Sequence, residues 1–379
     1  MWKGTKTMKN RCYLDVHVLQ TVPPSCVNRD DTGSPKTAIY GGTTRARVSS
    51  QAWKHAMREM FREELIEPDM LGLRTKNVIS MVAEEILKLN PDARAAELAE
   101  KVLTSAGVKF KDDKKAETKD KKGETKDKKA EALFFMSAAQ AKALAEIAVS
   151  EGTADKDACK KALKNNPSVD IALFGRMVAS EATLNCDASA QVAHSISTHT
   201  VQNEYDYFTA VDDLAPEDNT GAGHLGTVEF NSSTLYRYAT VNLVELANAL
   251  GKQVTAETAA KFVEAFVRSM PTGKQNTFAN RTLPSMVYVT IRRDQPVNLC
   301  GAFEKPVSAK NGGYSEESEK KFVEYANKVY GKYASAPDCE FAVGEAVGNL
   351  EECKCMSLDR LLESVAECVK EYLGESEGM

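Results

Sequence analysis

The stretch "CYLDVHVLQ", Cys12 to Gln20, puts Leu14, Val16 and Val18 at alternate positions. A period of two turns those three side chains to one side of an extended chain, so the stretch reads as a first β-strand. Pro23 and Pro24 end it, and a long polar loop with "SCVNRDDTGSPK" follows. The next apolar period is different. In "GGTTRARVSSQAWKHAMREMF", Gly41 to Phe61, the residues Trp53, Ala56, Met57, Met60 and Phe61 recur at steps of three and four. That is the period of a helix with one buried face. Ser49 and Ser50 stand where a serine oxygen would cap the N–H groups of the first turn.

Working outward, the pattern from about Arg62 to Pro167 is helical, with amphipathic runs in "NVISMVAEEILKL", "ARAAELAEKVL" and "SAAQAKALAEIAVS". Inside this block ETKDKK occurs twice, at 117–122 and 124–129. A segment so poor in apolar residues cannot offset its ordering entropy by burial, so a mobile Lys-rich loop is expected over 109–131. Strands are expected at "SVDIALFGRMV" (Ser168–Val178), "AQVAHSISTHTV" (Ala190–Val201), "STLYRYATVNL" and "SMVYVTIRR", with a projecting loop or long hairpin over Gln202–Thr227. Helices are expected near 242–250, 255–270, 315–330 and 357–373. Without its insertions the order is strand, helix, strands, helix, strand. That order suits an α+β ferredoxin-like sheet with helices on one face.

The bulk numbers exclude several classes. Of 379 residues, 42% are hydrophobic and 27% charged, the balance of a soluble globular protein. The net charge of −5 excludes a general polycation, so any nucleic-acid surface must be local. Nine cysteines form no CxxC pair, and Cys353 and Cys355 make a lone CxC, so no metal is expected. Thiols in a reducing cytoplasm fit better. No apolar run reaches membrane-spanning length, and "MWKGTKTMKN" reads as a loose extension rather than a signal peptide.

Lys54, Arg58 and Arg62 are four apart and share one helix face. With the positive end of the helix dipole they could hold phosphates, or they could be a solvated basic face. Asp30–Asp31 and Asp212–Asp213 are adjacent carboxylates that could collect a divalent ion or cap turns. His194 and His199 are five apart in a strand pattern and read as structural. "GAGHLG", Gly221 to Gly226, reads as a turn, and no GxSxG or P-loop is present. In "YDYFTAVDDL", Tyr205, Tyr207 and Phe208 could stack on bases or clasp a hairpin down.

Several strings agree with one family. "HVL" with "PSCVNRDD", then "AIYGGTTRARVSSQAWKHAMR", "VDIALFGRM", "AHSISTHTV", "DYFTAVDDL", "HLGTVEF" and "YRYATVNL" resemble the CasC-type backbone subunit of the type I-E CRISPR Cascade complex, of the RAMP superfamily. The resemblance covers most of the chain in order, the Lys-rich repeat excepted. It implies an RRM-like palm in three parts (8–61, 168–201 and 228–379, the last with the C-terminal helices). Helical fingers at 62–167 and a thumb hairpin at 202–227 are the insertions. It also implies a cytoplasmic, non-catalytic antiviral-defence protein without cofactor. Copies polymerise in a helical filament along a CRISPR RNA, kink it at intervals and present it to a target DNA strand. The other partners implied are the large, small, five-prime-end and three-prime-end Cascade subunits, and no membrane. By the same resemblance Arg29, Ser49, Gln51, Lys54 and Arg58 grip the RNA backbone. Met177 wedges beside the kinked nucleotide, and Phe208, Thr209 and Val211 pack on the flipped base. Related type III subunits cleave RNA with an aspartate in a loop after the first strand, which leaves a metal-dependent ribonuclease using Asp30 or Asp31 as the alternative.

Overall fold

The computed structural model describes residues 11–112, 128–150, 155–178, 180–210, 224–309, 312–344, 347 and 354–375. These fall into two compact units. One comprises the described parts of Met1–Phe61, Val192–Asn242 and Ala259–Met379; the other comprises those of Arg62–Gln191 and Leu243–Thr258.

The chain opens with β1 (Tyr13–Ser25), β2 (Thr37–Tyr40), β3 (Thr43–Val48) and α1 (Ser50–Met60), which runs into a π-helical turn at Phe61–Leu65. Next come β4 (Gly72–Thr75), α2 (Val78–Leu89), α3 (Ala95–Ala106), β5 (Phe110–Asp112), β6 (Lys128–Ala130), β7 (Phe134–Ser137), α4 (Ala138–Ser150), α5 (Lys156–Lys164) and α6 (Val169–Phe174). The rest is β8 (Ala190–Val192), β9 (Ser195–Ser197), β10 (Glu204–Ala210), β11 (His224–Asn242), α7 (Leu243–Leu250), α8 (Lys252–Arg268), α9 (Gln275–Phe278), β12 (Met286–Arg292), α10 (Ser315–Tyr330), β13 (Cys339–Val343), β14 (Lys354–Cys355) and α11 (Leu358–Glu375).

The first unit is built on one large sheet of order β14-β13-β12-β1-β11-β9-β3-β2. Its central pairs are antiparallel: β1 lies between β11 and β12, with Val18 opposite both Arg237 and Val287. The fold is therefore α+β with a large antiparallel sheet. Both faces of β1 are buried, so its alternation separates two cores rather than core from solvent. On one face the Arg237 guanidinium lies 3.7 Å over the Trp53 ring of α1 and 4.7 Å from the Phe266 ring of α8. Both helices thus cover that face. On the other face the His17 ring packs among Tyr236, Tyr238, Tyr288 and Phe322, the last from α10. The expectation of helices on one face is corrected here. Asp15, His17 and Leu19 are as buried as Leu14, Val16 and Val18, and they need a cover of their own.

The second unit has a core of Val82, Ile86, Ala99, Val102, Leu103 and Leu144 from α2, α3 and α4, the helices that the apolar period marks. Strands β5 and β6 pair across the Lys-rich segment, whose residues 113–127 lie outside the described part. Ser168–Val178 is not a strand. Its apolar run is buried continuously over Val169–Leu173, and a continuous run has no period to separate helix from strand. The chain leaves that helix at Gly175, φ +76°, where a Cβ would lie 2.8 Å from the Cys186 carbonyl oxygen. Ala190–Val201 is likewise not one strand but β8 and β9, parted at Ala193–His194.

Candidate nucleic-acid interface

Helix α1 begins as its sequence dictates. Ser49 is extended, with φ −69° and ψ 148°, and its Oγ accepts from the Ala52 N–H at 3.2 Å. Trp53, Met57 and Met60 are buried. The Trp53 Nε1–H donates to Ser195 Oγ at 3.0 Å, which fixes the helix azimuth on the sheet. Burying a tryptophan removes ~150–250 Å² from water, worth roughly 4–6 kcal/mol before entropy is counted. The opposite face of α1 carries Gln51, which is exposed, and Lys54 and Arg58, which are half-exposed.

The loop bearing Arg29 is fastened to the start of this helix. Asn28 Oδ1 accepts from the Ser49 N–H at 2.9 Å, the Lys36 N–H donates to the Asn28 carbonyl at 2.9 Å, and the Arg47 N–H donates to the Lys36 carbonyl at 2.9 Å. Arg29 itself is exposed. The structure therefore brings Arg29, Ser49, Gln51, Lys54 and Arg58 onto neighbouring elements. Ser49 is buried and its oxygen is taken up in capping.

His194, expected to be structural, meets Arg47 and the start of α1 at this point. His194 Nδ1 lies 3.4 Å from the Ser50 N–H and 3.3 Å from Arg47 NH1. Both are donors, so Nδ1 is the acceptor and the ring is neutral with its proton on Nε2. Burial first, then the charges of Arg47 and Lys36, hold its pKa below the ordinary histidine value. Lys36, Arg47 and the helix N-terminus thus make a local positive potential. The convergence depends on β3 pairing with β9, with Val48 opposite Ser195, which no local pattern announces.

Arg45, although it alternates with Arg47, is not part of this surface. It is buried; NH1 donates to the Ser197 carbonyl at 2.9 Å and NH2 to the Phe303 carbonyl at 2.9 Å. Asp30 is exposed and bound into its own loop. Its Oδ1 accepts from the Thr32 N–H at 2.9 Å, Thr32 Oγ1 at 2.7 Å and the Ser34 N–H at 3.1 Å. These bonds, the Thr32 hydroxyl first, hold its carboxyl below the usual range. Among the described residues no group of three His, Cys, Asp or Glu could hold a metal ion.

Phe208 and Thr209 lie on β10, which pairs with the first part of β11 from Glu204↔Phe230 to Ala210↔His224. One face of this hairpin carries Tyr205, Tyr207 and Leu225, which are 67%, 64% and 55% exposed. On the other face the Phe208 ring lies over Gly226, where a Cβ would come within 2.4 Å of it. Val211 and the pair Asp212–Asp213 lie outside the described residues.

Met177 belongs to the second unit. It is 82% exposed, yet its neighbours are fixed. Arg176 is buried; its guanidinium donates to the carbonyls of Phe135, Leu163 and Leu184 at 3.0, 2.7 and 3.0 Å and lies 5.0 Å from the Phe134 ring. The Val178 N–H donates to Asn185 Oδ1 at 2.7 Å. A flexible apolar side chain is thereby held out on a rigid stem.

This is an α+β protein that keeps a cationic helix face, a hairpin bearing exposed aromatic residues and a held-out methionine outside its cores. The chain belongs to the CT1975-like protein family, which it matches over residues 14–371. Among solved structures it is similar to a chain of a "CRISPR RNA-guided surveillance complex, pre-nicking", with TM-score 0.72, 30% identity, 94% of this chain and 100% of that chain covered. It is also similar to a chain of a "CRISPR RNA-guided surveillance complex", with TM-score 0.59, 26% identity and coverage of 94% and 99%. No curated protein matches. Among the described residues no helix is long and apolar enough to cross a membrane.

Proposed function

We propose that this chain is a non-catalytic, CRISPR RNA-binding backbone subunit of a Cascade-type surveillance complex, of the CasC kind in type I-E systems. The observation that carries the reading is the end-to-end likeness to a chain of a CRISPR RNA-guided complex, 94% of this chain against 100% of that one. The four antiparallel strands β12-β1-β11-β9, with α1 and α8 on one face, support an RRM-like palm. Residues 62–167, within the second compact unit, supply the helical fingers, and β10–β11 the thumb. Several copies assemble along one guide, with the other Cascade subunits at its ends and flank, and present it to target DNA.

The cationic row of α1 suits phosphates, and phosphate contacts position an RNA without reading it. A backbone that must accept any guide needs that indifference. The Asp30 carboxylate is engaged by its own loop, which favours a structural role over a ribonuclease.

The test is a native gel of purified protein titrated onto guide-length single-stranded RNA, with and without magnesium, re-run under denaturing conditions. A stepwise ladder with intact RNA is expected. Lys54→Glu with Arg58→Glu should abolish it at unchanged thermal midpoint. Cleavage at a regular interval that needs magnesium and is lost in Asp30→Ala or Asp31→Ala would overturn the non-catalytic reading.

A further inference from the structure

Away from the cationic helix, β13 and α11 enclose a cleft of about 590 Å³, lined by Asp338, Cys339, Glu340, Met356, Arg360 and Cys368. Two of its lining side chains are thiols in direct contact. The Cys368 S–H points at Cys339 Sγ at 2.7 Å, and Cys339 Sγ lies 3.9 Å from the Tyr372 hydroxyl. Cys368 is 6% exposed on α11, whereas Cys339 on β13 is half-buried and faces the cleft. We propose that Cys339 and Cys368 form a peroxide-responsive dithiol site, which closes to a disulfide that ties the C-terminal helix to the edge of the sheet.

The geometry sets the roles of the two sulfurs. A disulfide is about 2.05 Å long, so this pair needs to close by less than about 1 Å. The bond that Cys368 donates to Cys339, and then burial, hold the Cys368 thiol well above its ordinary value. Cys339 is the sulfur that solvent reaches, so it meets the oxidant first, and its thiolate form is the nucleophile. Hydrogen peroxide is the oxidant. The Cys339 thiolate attacks one peroxide oxygen, the O–O bond breaks, and hydroxide leaves and takes a proton to become water. Cys339 is then a sulfenic acid. The Cys368 sulfur attacks the Cys339 sulfur, its proton goes to the departing hydroxyl, and a second water leaves. In sum two thiols and one peroxide give one disulfide and two waters, and a dithiol reductant reverses it. The neighbouring Cys12 is buried and its thiol is pushed up to about 12, so it takes no part.

The experiment treats the full chain with hydrogen peroxide, alkylates the remaining thiols and maps the digest by mass spectrometry without reduction. A peptide pair joined through Cys339 and Cys368 is expected, lighter by two hydrogens and released by dithiothreitol. The thermal midpoint of the oxidised chain should rise by about 5 °C, since a cross-link restricts the unfolded chain. In Cys368→Ser the rise should vanish, and Cys339 should be trapped by dimedone as a sulfenic acid. Recovery of both cysteines as alkylated thiols in peroxide-treated wild type would overturn the proposal. So would a cystine through Cys12, or the same thermal rise in Cys368→Ser. The mapping on wild type stands whether or not the variant folds.

Discussion

Helix α1 and the β10–β11 hairpin expose side chains suited to nucleic acid in opposite ways. The helix is fixed by its back: Trp53, Met57 and Met60 are buried, and Trp53 is clamped between Ser195 Oγ and the Arg237 guanidinium. Its cations ride on a scaffold that holds them whether or not a ligand is present. The hairpin has no such back. Every residue of β10 from Glu204 to Ala210 is exposed, and the Tyr205 and Tyr207 rings stand out on one face of the strand pair. A lone two-stranded hairpin is marginal in water. Function and stability are therefore coupled through the buried side of α1 and separable in the hairpin.

The largest effect should come from breaking the helix's hidden side. Trp53→Ala removes a fully buried ring, its bond to Ser195 and one face of the Arg237 sandwich. Large core truncations of this kind cost about 3–5 kcal/mol. Arg237 would suffer as well, since it is 1% exposed and burial already lowers its pKa to about 9. Urea unfolding followed by circular dichroism checks this. A loss under about 1 kcal/mol would mean that α1 is not anchored as described, and the contrast with the hairpin would fall.

Much of α1 was legible in the sequence, because capping and a 3.6-residue period are local properties. Ser49 caps as its residue type requires, and Trp53, Met57 and Met60 face inward as their spacing requires. The β2–β3 hairpin was missed although Gly41–Gly42 spells it. Both glycines have positive φ, +59° and +76°, the backbone that a two-residue hairpin turn demands. The place of Arg45 was not legible for another reason: a guanidinium reaches carbonyls 152 and 258 residues away, and only the assembled sheet brings those carbonyls near. The same applies to His194 at the start of α1. Strands β13 and β14 are short edge pieces, and Cys339 and Cys368 meet 29 residues apart. The family resemblance reached Met177 but not the reason it stands out. That reason is the stem built by the buried Arg176.

A smaller and opposite effect is expected from the hairpin. Tyr205→Ala with Tyr207→Ala removes two exposed rings and should change unfolding free energy by less than about 1 kcal/mol, as exposed substitutions do. If the rings stack on bases, affinity for single-stranded RNA should fall by about 1–3 kcal/mol per lost contact. Fluorescence anisotropy with a labelled guide-length RNA measures it. Loss of stability without loss of affinity would reassign these tyrosines to a clasp within the hairpin.

The smallest effect concerns His194, where the two kinds of presentation meet in one exposed side chain. Its neutral Nδ1 accepts from Ser50 N–H and Arg47, and its pKa is held down by burial and by the charges of Arg47 and Lys36. A lowered pKa means that the unfolded state binds the proton more readily, so this group's share of stability is present above the ordinary histidine range. That share is lost as pH falls through the folded value. Binding should move the other way. Protonated His194 cannot accept those bonds, so acid releases the Ser50 N–H toward solvent and adds a third cation beside Lys36 and Arg47. RNA phosphates would favour that charged form. Affinity at fixed ionic strength should therefore rise a few-fold as pH falls from about 7.5 to about 5.5. His194→Gln, which keeps an acceptor but not the charge, should flatten the profile. A wild-type profile that His194→Gln leaves unchanged would mean that the RNA backbone passes along Lys54 and Arg58 without reaching the first turn of α1.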